Sequence, residues 1–420
     1  MKLRTKITID KIFGNLFIFV FGIVIKFFRL FIKSNFKKVK HVKRIAVCKL
    51  LGMGSIIQST CLVKSLKTTF PEAELIFITS IKNKNLLKII KPIDKIYVID
   101  DRSIISLLIS VIKFKTTFLF KRIDYYIDLE VHSNFSTILT FLSFATNKIG
   151  YYLKEEWFRV CLYTEMIYYN INAPVVKVYN QSAELLGAEN VETALYNFNT
   201  IASKEDTLLI EKLKSINQNF SNKYIIVNPN ASDLRIERRW NYRNYVELIN
   251  SILGENQTYK IVLTGNKSEV KYVNKIYSEI DKKYKLQVID TSGKLSIEEL
   301  ISLIRNCNLM ISNDSGPMHI AFALNKITIA LFGPCSPQQY TTQKNVRFIY
   351  KNIYCSPCVH QFTISPCKGD NQCMKQLNVN DVYNIIREIL NTNQIKISNI
   401  QSDIVYKNAD DLPLGLLKNI

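Results

Sequence analysis

The chain has 420 residues, 47% hydrophobic and 22% charged, enough for two domains of ordinary size with a core each. Its formal net charge of +21 would suit nucleic acid or an anionic membrane, but half of the excess sits in the first tenth, where residues 1–44 hold twelve Lys/Arg and one Asp. With no aromatic-basic RNA-binding motif and no helix-turn-helix pattern, nucleic acid is excluded as the expected partner.

Residues 1–43 read as a membrane-associating segment. The uncharged run from Ile12 to Ile25 is shorter than the roughly 20 apolar residues that a spanning helix needs. Extending it to Ile32 admits Lys26 and Arg29. These share a helical face with Lys33, while Phe27, Phe28, Leu30 and Phe31 take the others, which predicts an interfacial helix with snorkelling cations. The stretch from Lys33 to Arg44 carries six Lys/Arg and no acid, and it suits anionic headgroups at roughly 1 kcal/mol per cation. No small-x-small cleavage site follows the apolar run, as a signal peptide would require. A spanning anchor and a helix packed on the following domain are the alternatives.

From residue 44 strands and helices alternate. Arg44–Leu50 is a short apolar run of strand type, Gly52-Met-Gly54 a turn, and Ser55–Phe70 carries apolar residues at helical spacing until Pro71 stops it. Further strands are predicted at Glu74–Thr79, Lys95–Ile99 and Asp124–Glu130. A polar, mostly helical stretch at about 171–221 follows. A second series of strands is expected at Tyr224–Asn228, Tyr259–Thr264, Leu286–Asp290, Asn308–Ser312 and Ile327–Leu331, separated by helices at 241–254, 266–281, 296–306 and 315–324. Two such series imply an α/β protein with two doubly wound parallel sheets facing across a cleft. The division expected is 44–175 for an N-terminal Rossmann-like domain, 176–221 for a connecting region, 222–390 for a C-terminal Rossmann-like domain, and 391–420 for a tail without periodicity.

The segment Ile311-Ser-Asn-Asp314-Ser315-Gly316-Pro317-Met-His319 has the makings of an anion site. A short strand delivers Asp314 and Ser315 to a turn, Gly316 permits close backbone approach, and Pro317 fits a first helical turn where no amide hydrogen is needed. Free N–H groups and the positive end of the helix dipole then face the ligand. His319, one turn beyond Ser315, can point to the same spot. A capped core helix with a buried histidine is the bland reading.

Of nine cysteines, four form Cys355-Ser-Pro-Cys358-x8-Cys367-x5-Cys373, a spacing compatible with a thiolate site for structural zinc or, less readily, an iron–sulfur cluster. Reduced free thiols and two disulfides are the alternatives.

The chain resembles glycosyltransferase family nine, the heptosyltransferase family. Lys49-Leu-Leu-Gly52-Met-Gly54-Ser55 with Phe70-Pro71 is similar to its first motif. Asn228-Pro-Asn-Ala-Ser232, Arg238-Arg239-Trp240, Val262-Leu-Thr-Gly265, Gly293-Lys-Leu-Ser and Asp314-Ser-Gly-Pro-Met-His319 through Gly333-Pro334 follow in the family's order, so the likeness covers about 44–390. It implies the GT-B fold of two Rossmann-like domains and inverting transfer of a sugar, without a catalytic metal or cofactor. The donor would be a nucleoside-diphosphate sugar and the acceptor a lipid-linked envelope glycan such as the lipopolysaccharide core, at the cytoplasmic face of the inner membrane. By the same resemblance Ser232, Arg238, Asp314, Ser315, Gly316 and His319 line the donor site, with Arg238 standing where familiar members carry a lysine that reaches the diphosphate. A departure falls at Ser55, where the family's Gly-Asp pair supplies the carboxylate proposed as general base. A serine cannot take a hydroxyl proton unaided at neutral pH. Glu130, ending a predicted strand two residues after Asp128 and on the same strand face, is the expected substitute, and His132 a weaker one. A non-catalytic sugar-nucleotide binder or scaffold, or a nucleotide-sugar epimerase or hydrolase, remains the alternative.

Overall fold

The computed structural model describes residues 36–153, 161–200, 204–218, 220–231, 235–340, 342–359, 367–391 and 403–405, with residues 159 and 365 and single positions between 10 and 23. Ser232 and most of the first 35 residues lie outside the described residues, and with them most of the predicted interfacial helix. Two compact units are present, Met1–Tyr196 and Asn197–Ile420.

In the first unit the order is β1 (Arg44–Cys48), α1 (Met53–Gln58), α2 (Thr60–Thr69), β2 (Glu74–Ser80), α3 (Lys84–Ile89), β3 (Lys95–Ile99), α4 (Ile104–Phe120), β4 (Tyr125–Asp128), α5 (Asn134–Leu142), β5 (Asn147–Tyr152), β6 (Glu165–Tyr168) and α6 (Val175–Leu185). The strands pair in the order β3-β2-β1-β4-β5-β6, all parallel. The apolar runs of β1 and β4 are buried on both faces, as a parallel sheet covered by helices requires. The chain winds outward to β3, then returns to β4 beside β1. That reversal is the topological switch point, and ligand crevices in such sheets open at the carboxyl ends of the strands that flank it.

The second unit contains α7 (Lys204–Ile216), β7 (Tyr224–Asn228), α8 (Tyr242–Glu255), β8 (Lys260–Leu263), α9 (Val270–Glu279), β9 (Val288–Asp290), α10 (Ile297–Asn306), β10 (Leu309–Asn313), α11 (Gly316–Ala323), β11 (Thr328–Phe332), β12 (Val346–Tyr350), α12 (Gln372–Lys375), α13 (Val379–Asn391) and β13 (Asp403–Val405). Its sheet runs β13-β12-β11-β10-β7-β8-β9, again all parallel. The switch point lies between β7 and β10, in register at Asn228 and Ser312. The core of this unit gathers Trp240, Tyr245 and Ile249 of the α8 region with Ile225, Ile311 and Val382.

Two expectations about organisation change. The stretch 176–221 is divided between the units: α6 packs on α2, and α7 is fixed to α10 by Lys212–Glu299 (2.7 Å) and Arg305–Asp206 (2.6 Å). The expected tail contributes β13, which adds an edge strand to β12. The first residues of the basic stretch that are described lie along the amino ends of β4 and β5, where Lys37 N–H donates to Asn147 Oδ1 (2.8 Å) and Lys43 N–H to Asp124 Oδ2 (2.7 Å). Of the apolar run, Ile18 is buried with Leu162 and Tyr163. Among the described residues no helix is long and apolar enough to cross a membrane.

Candidate active site

At the end of β10 the chain turns through Asp314 into α11. Ser315, in extended conformation, is the N-cap residue, Gly316 opens the helix and Pro317 sits in its first turn. Residues 315–317 remain partly exposed, whereas Asp314 and His319 are buried. The Ser315 hydroxyl does not cap the helix. It accepts instead from Asn228 Nδ2 (2.6 Å), which also donates to Ser312 Oγ (2.8 Å). The β7 end therefore locks the β10 turn from the neighbouring strand. The first amides of α11 have no intrahelical acceptor by geometry, and the cap side chain leaves them so.

Arg238 comes from the short turn Ile236–Arg238. Its backbone is held from both sides, because Asn371 Nδ2 donates to the carbonyls of Glu237 (2.8 Å) and Arg239 (2.9 Å). Next to it the buried Trp240 donates its indole N–H to the Leu377 carbonyl (3.1 Å). The guanidinium reaches Asp314, Nη1 to Oδ2 at 3.4 Å, and His319 Nε2 stands 3.7 Å from Oδ1. Burial opposes ionisation of Asp314, but the charge of Arg238, helped by His319, outweighs it and holds the carboxyl well below the usual carboxylate range. Arg238 is raised in turn: burial works against its charge and Asp314 more than compensates. The pair is loose. Among the described residues neither Asp314 oxygen nor Arg238 Nε has a hydrogen-bond partner of normal geometry, and the Arg238 side chain keeps 21% of its surface exposed, so its outer edge can meet another anion. His319 is wedged edge-on against Tyr340, ring centres 4.9 Å apart.

In the first unit the corresponding crevice holds Lys49, Glu130 and the turn at Gly52, whose positive φ of 85° starts α1 and places Ser55 in its first turn. Glu130, the expected general base, already has partners on both oxygens. Its Oε1 accepts from the amides of Leu50 and Leu51, both at 2.8 Å, and its Oε2 meets Lys49 Nζ at 2.8 Å with both side chains 9% exposed. A carboxylate that meets three donors fastens the loop after β1. His132 is exposed. Beneath them Asp128 and Arg159 form a fully buried pair at 3.1 Å, with Tyr163 OH donating to Asp128 (2.6 Å).

The four cysteines of the expected thiolate site are all unpaired with one another as disulfides. Cys358 and Cys373 are buried and the other two half-buried. Burial first, then the other thiols of the group, push Cys358 up and Cys373 to about 12. The four are thus neighbours, yet among the described residues no group of three or more His, Cys, Asp or Glu is close enough to hold a metal ion.

A family model described as glycosyltransferase family 9 (heptosyltransferase) matches residues 113–368, more than half of the chain. The chain belongs to that family. It is 31% identical to lipooligosaccharide heptosyltransferase 2 of Campylobacter jejuni over 170 residues, 40% of this chain and 51% of that one. The chain thus spans about half the length of that relative. With lipopolysaccharide heptosyltransferase 1 of Campylobacter coli it shares 26% over 320 residues, 73% of this chain and 88% of the relative. The solved E. coli ADP-heptose lipopolysaccharide heptosyltransferase II has the same fold, with a TM-score of 0.64 at 18% identity, covering 83% of this chain and 98% of that one. The two doubly wound sheets read from the strand series, and the GT-B class that the resemblance implied, are therefore the fold of this family 9 member.

Of the donor-site residues expected from sequence, Arg238, Asp314, Ser315, Gly316 and His319 come together at one corner, and Ser232 lies outside the described residues. Sequence reading missed Asn228 as the residue that fixes Ser315, Asn371 as the clamp on Arg238, and Cys335, whose thiol burial pushes up beside Arg238 and Asp314. Asn228 lies within a quoted motif and Cys335 directly follows Gly333-Pro334, but only the pairing of β7 with β10 and of β10 with β11 reveals their neighbours.

Proposed function

We propose that the protein is an inverting glycosyltransferase that moves a heptose or similar sugar from a nucleoside-diphosphate sugar to a lipid-linked envelope glycan such as the lipopolysaccharide core, at the cytoplasmic face of the inner membrane. The observation that carries this reading is the Arg238 guanidinium, loosely paired and set beside the open start of α11. As the glycosidic bond breaks, negative charge grows on the departing diphosphate. A fixed cation and oriented amides stabilise charge where it forms without reorganising. Asp314, itself an anion, serves as the counter-ion that orients Arg238 and His319 and leaves phosphate contact to them and to the backbone. No cofactor is invoked for the chemistry.

Release of nucleoside diphosphate from a panel of donors, measured with and without membrane extract, tests the reading. Acceptor-dependent release from one donor is expected, whereas release without acceptor would point to a hydrolase or epimerase. A second reading, a non-catalytic sugar-nucleotide binder or scaffold, draws on Ser55 in place of the expected carboxylate and on the engaged Glu130. Donor-induced thermal stabilisation with no release from any donor would establish it. For the cysteine group we propose a structural zinc held by Cys355, Cys358, Cys367 and Cys373, supported by their spacing alone; the described side chains are not gathered closely enough to hold a metal, so binding would have to draw the four thiols together. Metal analysis of protein purified without chelators should find one zinc per chain, and four freely titrating thiols with no metal would exclude it.

A further inference from the structure

Helix α4 buries one face, through Ser110, Phe114 and Phe118, the two rings packing on Tyr97 of β3 with centres 5.4 Å away. On the opposite half of its circumference stand Ile105, Leu108, Ile109, Ile112 and Leu119, with Ile104 at its margin, all exposed. Ile105 is 72% and Ile112 63% exposed, and Phe120 at the helix end reaches 86%. A helix on the surface of a soluble domain turns its polar side outward; α4 turns out large aliphatic side chains in a continuous stripe, well beyond scattered surface leucines.

Charge accompanies the stripe. Lys113, Lys115, Lys121 and Arg122 are exposed, the segment 103–122 holds no acid, and none of these four cations is in a salt bridge among the described residues. Arg102 at the other end is paired with Asp100. The 17-residue helix is about 25 Å long, so it presents apolar side chains along its length with cations at its C-terminal end and border.

The neighbouring segment repeats the pattern. Asp10 Oδ2 accepts from the Asn134 amide at the start of α5 (3.1 Å), Phe17 packs edge-on against Phe141, and Ile18 is buried. From the same helical segment Ile12, Phe19 and Ile23, seven and four residues apart and so on one line, are exposed at 61%, 67% and 55%. Since α4 also packs on α5, two outward apolar stripes flank α5.

We propose that this helix layer, with α4 as its main element, docks the first unit on an anionic phospholipid bilayer. The helices lie in the interface with aliphatic side chains at the acyl boundary and lysines at the phosphates. A second copy of the chain fits less well. Self-pairing of this face would set Lys113, Lys115, Lys121 and Arg122, which border the stripe, against their own copies with no acid in 103–122 to meet them. In lipid such side chains snorkel. The inference deepens the reading of a lipid-linked acceptor but its test reads binding alone, so loss of activity and loss of docking are separable.

The test is co-sedimentation of the full chain with vesicles of phosphatidylcholine alone and with phosphatidylglycerol added. Binding should be stronger by about tenfold or more on the anionic vesicles. The variant I105E/I112E should lose about tenfold or more of that binding while keeping its melting temperature. K113E/K115E, which disturbs no buried side chain, should lose the preference for anionic lipid. Parental binding by a folded I105E/I112E, or equal binding to neutral vesicles, would overturn the proposal. So would a lipid-free dimer that I105E/I112E converts to monomer, since the stripe would then belong to a second copy.

Discussion

Arg238 is placed before any ligand arrives, by the Asn371 clamp on its neighbours' carbonyls and by its contact with Asp314. Replacing it should therefore separate charge from shape. Arg238→Ala is expected to lower kcat/KM for nucleotide release by about 10²–10³, the usual cost of removing one charge-stabilising donor. Arg238→Lys should recover part of this, since the charge returns without the fork. Because Asp314 is 2% exposed, the alanine variant also leaves a buried carboxylate with a weaker partner set. Its stability loss, in a melting experiment, should be greatest above the carboxyl's ordinary range and fade as acid protonates Asp314. Glu130 offers the opposite expectation. Glu130→Gln removes the charge facing Lys49 in a pair only 9% exposed, and a broken buried pair costs about 3–5 kcal/mol. A clear drop in melting temperature is expected, with the pH profile of turnover unchanged. A lost acid-limb ionisation with stability intact would instead restore Glu130 as general base.

At the scale of elements, what could be read from the chain was what is local. Asp314 at the end of β10, Arg238 in its short turn and the α11 start were legible because motif and turn lie within a few residues, and β1, β3 and β7 because uninterrupted apolar runs announce parallel strands. Strand β5 was missed: Asn147-Lys-Ile-Gly-Tyr-Tyr mixes polar residues with a glycine, which reads as a break. The structure explains that glycine. A Cβ on Gly150 would come within 2.5 Å of Tyr163 Cε1, and this ring carries the hydroxyl that donates to the buried Asp128. Strand β6 is short and lies at the edge, and the grip of Glu130 on Leu50 and Leu51 spans about 80 residues of sequence, beyond any spacing rule. Gly150→Ala should thus push Tyr163 off the Asp128–Arg159 pair. The expected cost is about 1–3 kcal/mol for overpacking, visible as a lower denaturation midpoint with unchanged slope. An unshifted midpoint would mean that the ring has room to give.

For the molecule as a whole, the +21 charge is unevenly placed, and the acid in its first 44 residues is a docking point. Asp10 accepts from the amides of Asn134 and Phe135, tying the N-terminal segment to α5 of the first unit. Burial raises its pKa from 3.8 to about 6, against the pull of those two amides and of Arg159, and Glu130 adds to the rise. The folded chain therefore binds more protons at this site than the unfolded chain between those two values. The Asp10 contribution is fully present below about pH 4, is lost as pH rises through about 6, and is then constant. In Asp10→Asn that slope disappears while one acceptor for the α5 amides remains. The difference in melting temperature, parent minus variant, should accordingly be larger at about pH 5 than at about pH 7.5. The variant's own profile should be flatter across that interval. A parent-minus-variant difference that stays level from pH 5 to pH 7.5 would show that Asp10 is ionised throughout and that folding leaves its carboxyl unshifted.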